Sequence, residues 1–256
     1  MPNIVCCFKW VVDEAYIKPS SSGKIDLEWA EYKLSDYDRN AIEEAVRLQE
    51  VYGGSVTAVT VASSDSTKGI KDALSRGPEK AYFINDDLFE NLEPSQTSAI
   101  LAKVIGDQID YDLIVCGEGS SDMYSQQVGP RLAEKLGIPC IAFVNQLTIE
   151  DNRIIAQRKT DDGLEVISVL MPVLVTVLPD INSPRVPGLK DTLAASKKPV
   201  IEIELEDLGV EYERLLLDEG LRAASMERNC THFGAGPEDI KAFADAIRKT
   251  GVIDRG

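Results

Sequence analysis

Along the first half of the chain, short apolar runs alternate with longer segments whose apolar residues recur every three or four positions. Ile4 to Phe8, Ser55 to Val61, Ala81 to Ile84 and Leu113 to Cys116 are the short runs, of the kind that form buried strands in a parallel sheet. The segments between them have helical spacing. In LSDYDRNAIEEAVRLQEVYGG, Ala41, Ile42, Ala45, Val46 and Leu48 make a core-facing stripe. Ser35 with Asp38 three residues on makes a capping signature, and Gly53-Gly54 ends the helix. Further helices are predicted for Thr67 to Ser75, closed by Arg76-Gly77-Pro78, and for Pro94 to Ile109. Residues 13 to 34 are polar and irregular, with Pro19, three serines and Gly23, and read as an excursion or short hairpin. This alternation predicts a doubly wound α/β fold with a mostly parallel sheet.

After Pro139 the pattern changes. Cys140 to Val144, Gln146 to Ile149, Arg153 to Lys159 and Leu164 to Leu170 read as consecutive strands with tight turns, antiparallel additions along one edge. Pro172 to Leu178 is one more apolar strand. The stretch PDINSPRVPGLKDTLAASKKPV carries four prolines and is not one regular element. It places Arg185, Lys190, Lys197 and Lys198 on an otherwise acidic chain and Leu189 on a Pro-Gly turn, which suggests a docking loop. From Ile201 the chain is charged and sparse in core residues until a last amphipathic helix, Pro237 to Thr250, with Ile240, Phe243, Ala244 and Ile247. Such a helix cannot bury its own apolar face, so it is expected to pack on the domain or on another subunit. The expected division is an α/β domain over 1–204 and a C-terminal arm and helix over 205–256.

The chemistry gathers in residues 112 to 139, DLIVCGEGSSDMYSQQVGPRLAEKLGIP. A strand runs into Gly117 and Gly119, then a small polar cluster (Ser120, Ser121, Asp122, Ser125), then a helix carrying Val128, Leu132 and Leu136 on one face. Pro130 fits only in that helix's first turn. This layout points free backbone N–H groups and a helix dipole at one spot, a phosphate-binding geometry; an ordinary strand-to-helix turn that binds nothing shares the pattern. Neither GxGxxG nor GxxxxGK is present. In doubly wound sheets ligands sit beyond the carboxyl ends of the strands, where Cys7 to Lys9, Val61 to Ser63 and Gly117 to Ser121 all fall.

Composition narrows the function. A net charge of −16 over 256 residues argues against nucleic acid and anionic membrane surfaces. No apolar stretch approaches the ~18 residues that span a bilayer, so membrane insertion is not expected. The N-terminus lacks a basic start and a small-residue cleavage site, which suggests a cytoplasmic protein. Five cysteines show no CxxC or metal-ligand spacing, and the single histidine is His232. Asp86, Asp87, Glu90 and Glu93 form an acidic loop, better explained by solvation than by a metal. A chain so poor in acid–base groups suits chemistry that resides in a bound cofactor.

Taken together, several segments resemble the β subunit of electron-transferring flavoproteins, most closely its FixA-type branch, over nearly the whole chain. IVCCFKWV resembles that family's opening strand, LSDYDRNAIEEAVRL its first long helix, and SRGP the approach to its third strand. The most specific pieces are GEGSSDMYSQQVG and DINSPRVPGLKDTLAASKKPV. FixA-type proteins occur with carnitine or caffeyl-CoA reduction and with nitrogen fixation.

The resemblance implies an adenine nucleotide alpha hydrolase-like fold that pairs with an α subunit. It implies an adenine nucleotide in the α/β domain: FAD in electron-bifurcating forms, AMP in simple shuttles. By position, the site would comprise Cys7, Ser35, Asp36, Tyr37, Asp38, Val61, Gly117, Glu118, Gly119, Ser120, Ser121, Asp122, Ser125, Gln126, Gln127 and Val128. In the bifurcating scheme NADH is the electron donor. One electron goes to ferredoxin or flavodoxin, and the other goes through the α-subunit flavin to an acyl-CoA dehydrogenase or enoyl-CoA reductase. The Gly117 to Ser121 backbone with Ser125, Gln126 and Gln127 would face phosphate oxygens, and Ser35 and Asp36 the adenosine or ribityl portion. Asp122, repelled by phosphate, would cap the following helix. Leu189 falls where the family carries the leucine of its recognition loop, with Arg185, Lys197 and Lys198 as the basic part. Arg153, Arg158 and Lys159 are available to supply charge near a flavin. Met123 and Tyr124 are larger than the residues usual in bifurcating relatives, which leaves the nucleotide's identity open. A stand-alone adenine-nucleotide module resembling universal stress proteins is the rival of a different class.

Overall fold

The computed structural model describes residues 1–19, 23–27, 29–63, 66–86, 89, 92–210, 215–217, 223 and 230–251. The chain divides into two units, one of Met1–Lys18 with Asp26–Gly220 and one of Pro19–Ile25 with Leu221–Gly256. The strands are β1 (Asn3–Cys7), β2 (Trp10–Val12), β3 (Lys18–Pro19), β4 (Ile25–Asp26), β5 (Tyr32–Leu34), β6 (Ser55–Ala62), β7 (Lys80–Asn85), β8 (Leu113–Gly117), β9 (Cys140–Glu150), β10 (Arg153–Thr160), β11 (Gly163–Leu170), β12 (Val173–Val177) and β13 (Val200–Glu204). The helices are α1 (Asp36–Tyr52), α2 (Thr67–Ser75), α3 (Pro94–Gln108), α4 (Val128–Leu136), α5 (Leu189–Ala195), α6 (Leu205–Leu208) and α7 (Pro237–Lys249).

In the larger unit a nine-stranded sheet runs β11-β10-β9-β12-β8-β1-β6-β7-β13. The pairs from β12 across to β13 are parallel, and β10 pairs antiparallel with both β9 and β11. The predicted α/β class, mostly parallel with antiparallel edge strands, is therefore the observed one. Each central strand is apolar on both sides because both faces are covered. Ile4 and Cys6 of β1 join Ala41, Ile42, Ala45, Ile70, Leu74 and Ala195 of α1, α2 and α5 on one face. Val5 and Cys7, one residue out of phase, join Ile100, Leu101, Val104, Leu132 and Leu208 of α3, α4 and α6 on the other. The chain steps outward from β1 to β6 and β7, then returns through α3 to β8 on the far side of β1. The strand order thus reverses between β1 and β8, and the crevice between their carboxyl ends is where such sheets bind ligands.

Local signals hold at most boundaries. Gly53 ends α1 with φ 73°, and Pro130 lies in the first turn of α4. The excursion before α1 ends in β5, which returns to pair antiparallel with β2 just before it. Two expectations fail. Cys140 to Ile149 is one strand, not two: Phe143 takes φ 63° and bulges the strand where the β9–β12 register shifts. Its first half is parallel to β12 and its second half antiparallel to β10. Beyond Val200 the chain adds a further parallel strand, β13, beside β7. Its alternating VIEIE gives an edge strand with one buried apolar position, Ile203.

The smaller unit carries α7, which starts at Pro237 after Gly236. Phe233 and Phe243 pack edge to face at 5.4 Å, and Ile240 and Phe243 remain exposed.

Candidate functional site

The crevice is built where the first turn of α1 meets the ends of β1 and β8. Asp38, buried in that turn, accepts the Lys9 N–H at 2.8 Å and a bond from the Gly117 backbone. One carboxyl therefore ties both strand ends to the helix. Each such bond to a charged acceptor contributes roughly 1.5–3 kcal/mol, yet burial outweighs them. The Asp38 carboxyl is pushed up to about 7, chiefly by desolvation, with Asp122 adding to the rise and Lys9 opposing it. Gly117 touches the same turn. A Cβ there would lie 2.7 Å from Asp38 Oδ1 and 2.8 and 2.9 Å from Tyr37 Cβ and backbone carbon, so only glycine lets α1 approach this closely.

The loop after Gly117 is fastened on both flanks. Towards β1, the Ser121 N–H donates to Ser35 Oγ at 3.3 Å, and Lys9 Nζ reaches Asp122 Oδ2 at 2.5 Å. Burial works to raise the Asp122 carboxyl, but the Lys9 ammonium, the Ser120 hydroxyl and the Met123 N–H hold it below the usual carboxylate range. Towards β12, the Tyr124 hydroxyl donates to Glu118 Oε1 at 2.9 Å, and the Glu118 N–H bonds Val177 O at 3.1 Å. Burial pushes the Glu118 carboxyl up, and the Glu118 bond helps burial push the Tyr124 hydroxyl up to about 12. The Tyr124 ring lies 5.2 Å from that of Tyr37 and covers Gly119, whose Cβ would come within 2.8 Å of it. Tyr124 and Gln126 both adopt positive φ, 46° and 57°.

Two predicted caps are not made. Ser35 occupies the N-cap of α1, but its side chain makes no cap hydrogen bond; its hydroxyl faces Ser121 instead, and Asp38 is committed to Lys9 and Gly117. Asp122 does not cap α4, which begins at Val128 after Gln127; it is held six residues earlier by Lys9. The remaining predicted residues distribute as follows. Asp36 is bound to Lys33 and Arg39. Gln127 Oε1 accepts from Arg131 Nε at 3.0 Å. Ser120, Ser125 and Val128 lie along the same loop and helix start. Cys7 ends β1 on the opposite sheet face from α1, hydrogen-bonded to the buried Cys116 thiol. Val61, near the end of β6, is partly buried on that face as well.

The segment read from sequence as a docking loop lies along α1 and α2. Arg185 is not free, as the sequence suggested. Its guanidinium binds Glu43 and Glu50 at 2.8 Å each, and burial of Glu43 is overcome by Arg185 and Arg47, which hold that carboxyl below its usual range. Lys198 is likewise structural. Its Nζ donates to Leu74 O, Gly77 O and Pro78 O at 2.8, 3.2 and 2.7 Å, closing the C-terminal end of α2. Leu189, Lys190, Leu193 and Lys197 stay exposed, lining a shallow groove on α5. Lys198→Met is expected to lower stability by about 2 kcal/mol, the cost of partly buried carbonyls left unpaired. Urea unfolding measures it, and an unchanged midpoint would remove Lys198 from this structural role.

Arg153 and Arg158 bind Ser168 and Glu165 within the β10–β11 hairpin, away from the crevice, while Lys159 pairs with Asp180, a carboxylate whose charge acts on Glu118. In the acidic loop Asp87 and Glu90 lie outside the described residues. Glu93 accepts from Leu216 N at 2.6 Å, and no group suited to a metal ion occurs among the described residues. Lys9, which the sequence places on the ligand edge of the sheet, is the crevice residue missing from the predicted site. Its signal was a cation directly after the first strand, on the ligand edge of an acidic chain.

The crevice therefore offers a phosphate a lysine ammonium, the Ser35 hydroxyl and the start of α4. Ser121 Oγ adds a buried atom with no hydrogen-bond partner, a polar group still to be satisfied. These groups fit the phosphate end of a nucleotide, and the Tyr124 ring lies beside them over Gly119. The fold is that of a doubly wound α/β protein with a polar loop at its switch point. Residues 24–208, most of the chain, match the family model of the electron transfer flavoprotein domain. The chain belongs to that family and has an electron-transfer role of that type. No helix among the described residues is long and apolar enough to cross a membrane.

Proposed function

We propose that this chain is the β subunit of a FixA-type electron transfer flavoprotein and holds FAD in the crevice between β1 and β8. With an α subunit it carries electrons from NADH to an acyl-CoA dehydrogenase or enoyl-CoA reductase and to ferredoxin or flavodoxin, by electron bifurcation. The observation that carries this reading is the GEGSSDMYSQQVG loop, seated at the switch point of a chain in this family. FAD would supply the redox chemistry. The chain's own residues bind and orient: Ser35, Ser121, Ser125, Gln126 and Gln127 offer polar groups, while Gly117 and Asp38 fix the loop. Exposed apolar faces support a partner-bound life. Leu164, Val166 and Leu170 line the edge strand β11, and Ile240 and Phe243 lie on α7. The C-terminal arm is proposed to engage the α subunit, and Leu189 on α5 the dehydrogenase.

One observation favours AMP as a second reading. Tyr124 lies over Gly119, so a shorter ligand asks less of the loop. Denaturing the co-purified complex and counting released nucleotides decides between them. Two FAD per αβ pair is expected; one FAD with one AMP leaves a simple shuttle, and no nucleotide removes the reading.

A further inference from the structure

A site for an anionic ligand on a chain of net charge −16 needs a cation, and the crevice is otherwise ringed by Asp36, Asp38, Asp122 and Glu118. Among the described cations near it, Lys33 is shared between Asp13, Glu14 and Asp36, Arg39 is engaged by Asp36, and Lys159 by Asp180; Arg131, on the first turn of α4, is bonded to Gln127. Lys9 differs from these in bridging the two strand ends. Its backbone is pinned to Asp38, while its side chain, about half exposed at 48%, reaches from the end of β1 to the loop after β8. Asp122 is its one ion-pair partner among the described residues. The Lys9–Asp122 bridge therefore spans the gap in which a switch-point ligand lies.

Resting on the nucleotide-binding reading above, we infer that Lys9 is the specificity residue that receives the ligand's phosphate, and that Asp122 competes with that phosphate for it. Binding exchanges one anion on the Lys9 ammonium for another. A lysine suits this exchange because its ammonium is a point charge on a flexible stem, and the hydrogen bonds it trades are charge-assisted on both sides. Asp122 thus weakens binding, although it lies inside the binding loop. Its carboxylate keeps Lys9 neutralised and disfavours ligands too weakly charged to displace it.

The full-length protein, stripped of nucleotide, is titrated calorimetrically with AMP, FAD and adenosine. Lys9→Met is expected to weaken AMP and FAD about tenfold and leave adenosine within about twofold. Asp122→Asn is expected to tighten AMP and FAD about threefold or more, again without changing adenosine. The salt dependence of AMP affinity becomes shallower in Lys9→Met. Equal loss of AMP and adenosine in Lys9→Met, or weaker AMP binding in Asp122→Asn, overturns the inference and makes the pair a structural tie. A wild-type protein that binds AMP or FAD but shows unchanged affinities in both variants sinks the inference alone. A wild-type protein that binds none of the three ligands sinks the nucleotide reading and this inference with it.

Discussion

Gly117→Ala is expected to cost about 2–3 kcal/mol of stability and to strip the chain of its nucleotide. The added methyl would meet Asp38 Oδ1 at 2.7 Å and the Cβ and backbone carbon of Tyr37 at 2.8 and 2.9 Å. None of these is the far end of a flexible chain. Asp38 is buried and bound to two backbone N–H groups, and Tyr37 belongs to the first turn of α1. Relief therefore requires α1 to back away from β8, which separates Ser35 from Ser121 and opens the crevice. Gly137→Ala is the fitting control. There φ is 67° with nothing within 4 Å of the new Cβ, so the change costs about 1 kcal/mol through the backbone alone. Urea midpoints and released nucleotide, measured on both variants, separate the two effects. A Gly117→Ala protein with wild-type stability and a full nucleotide content would show that α1 does not bear on the crevice as described.

The second large effect concerns Asp38 and pH. Its carboxyl ionises near 3.8 in the unfolded chain and near about 7 in the fold, chiefly because burial disfavours the charge. Between those values the folded protein holds a proton that the unfolded chain has lost. Stability from this group is complete below the unfolded pKa and falls by about 1.4 kcal/mol per pH unit until the folded pKa is passed. Above it the loss levels off. Asp38→Asn carries no charge and keeps one acceptor oxygen, enough for the Lys9 N–H, while its NH2 group replaces the oxygen beside Gly117 and adds a cost that does not vary with pH. Its stability relative to wild type is expected to rise steadily from pH 5 to 7 and then stay flat, by an amount on the order of 3 kcal/mol. Denaturant titrations at pH 5, 6, 7 and 8 measure that difference, and taking it cancels most contributions from the other carboxylates. A constant difference across the range would mean that Asp38 is ionised throughout. Asp38→Ala, which leaves both N–H groups unpaired, is expected to be less stable than wild type throughout.

The doubly wound core is legible in the sequence because burial on both faces leaves mostly apolar residues in β1, β6, β7 and β8, with polar residues chiefly at strand ends and Thr57 and Thr60 the buried exceptions. The position of the loop after β8 follows from chain order alone, since that turn must open at the reversal of strand order. Side-chain partners are less legible. Ser35 has the composition of a helix cap, yet what its hydroxyl bonds is decided by Ser121, 86 residues away. Arg185 and Lys198 have the composition of a basic surface, but Glu43 and the α2 carbonyls claim them. Such pairings depend on tertiary contacts that no local pattern encodes. β13 is missed because a half-exposed edge strand alternates weakly and follows a proline-rich stretch.

Asn40 gives α1 a mechanical consequence. Its amide donates to Pro179 O and Asn182 O, and the Asn182 amide returns bonds to Asn40 O and Glu44. Glu43, Arg47 and Glu50 then hold Ser183 and Arg185. One stiff rod of 17 residues, about 26 Å long, is thus bolted at its tip to the crevice and along its shaft to the strap leading into α5. A tilt of that rod moves both fittings at once. Any movement of α1 at the crevice is therefore also a movement against the strap that leads into α5.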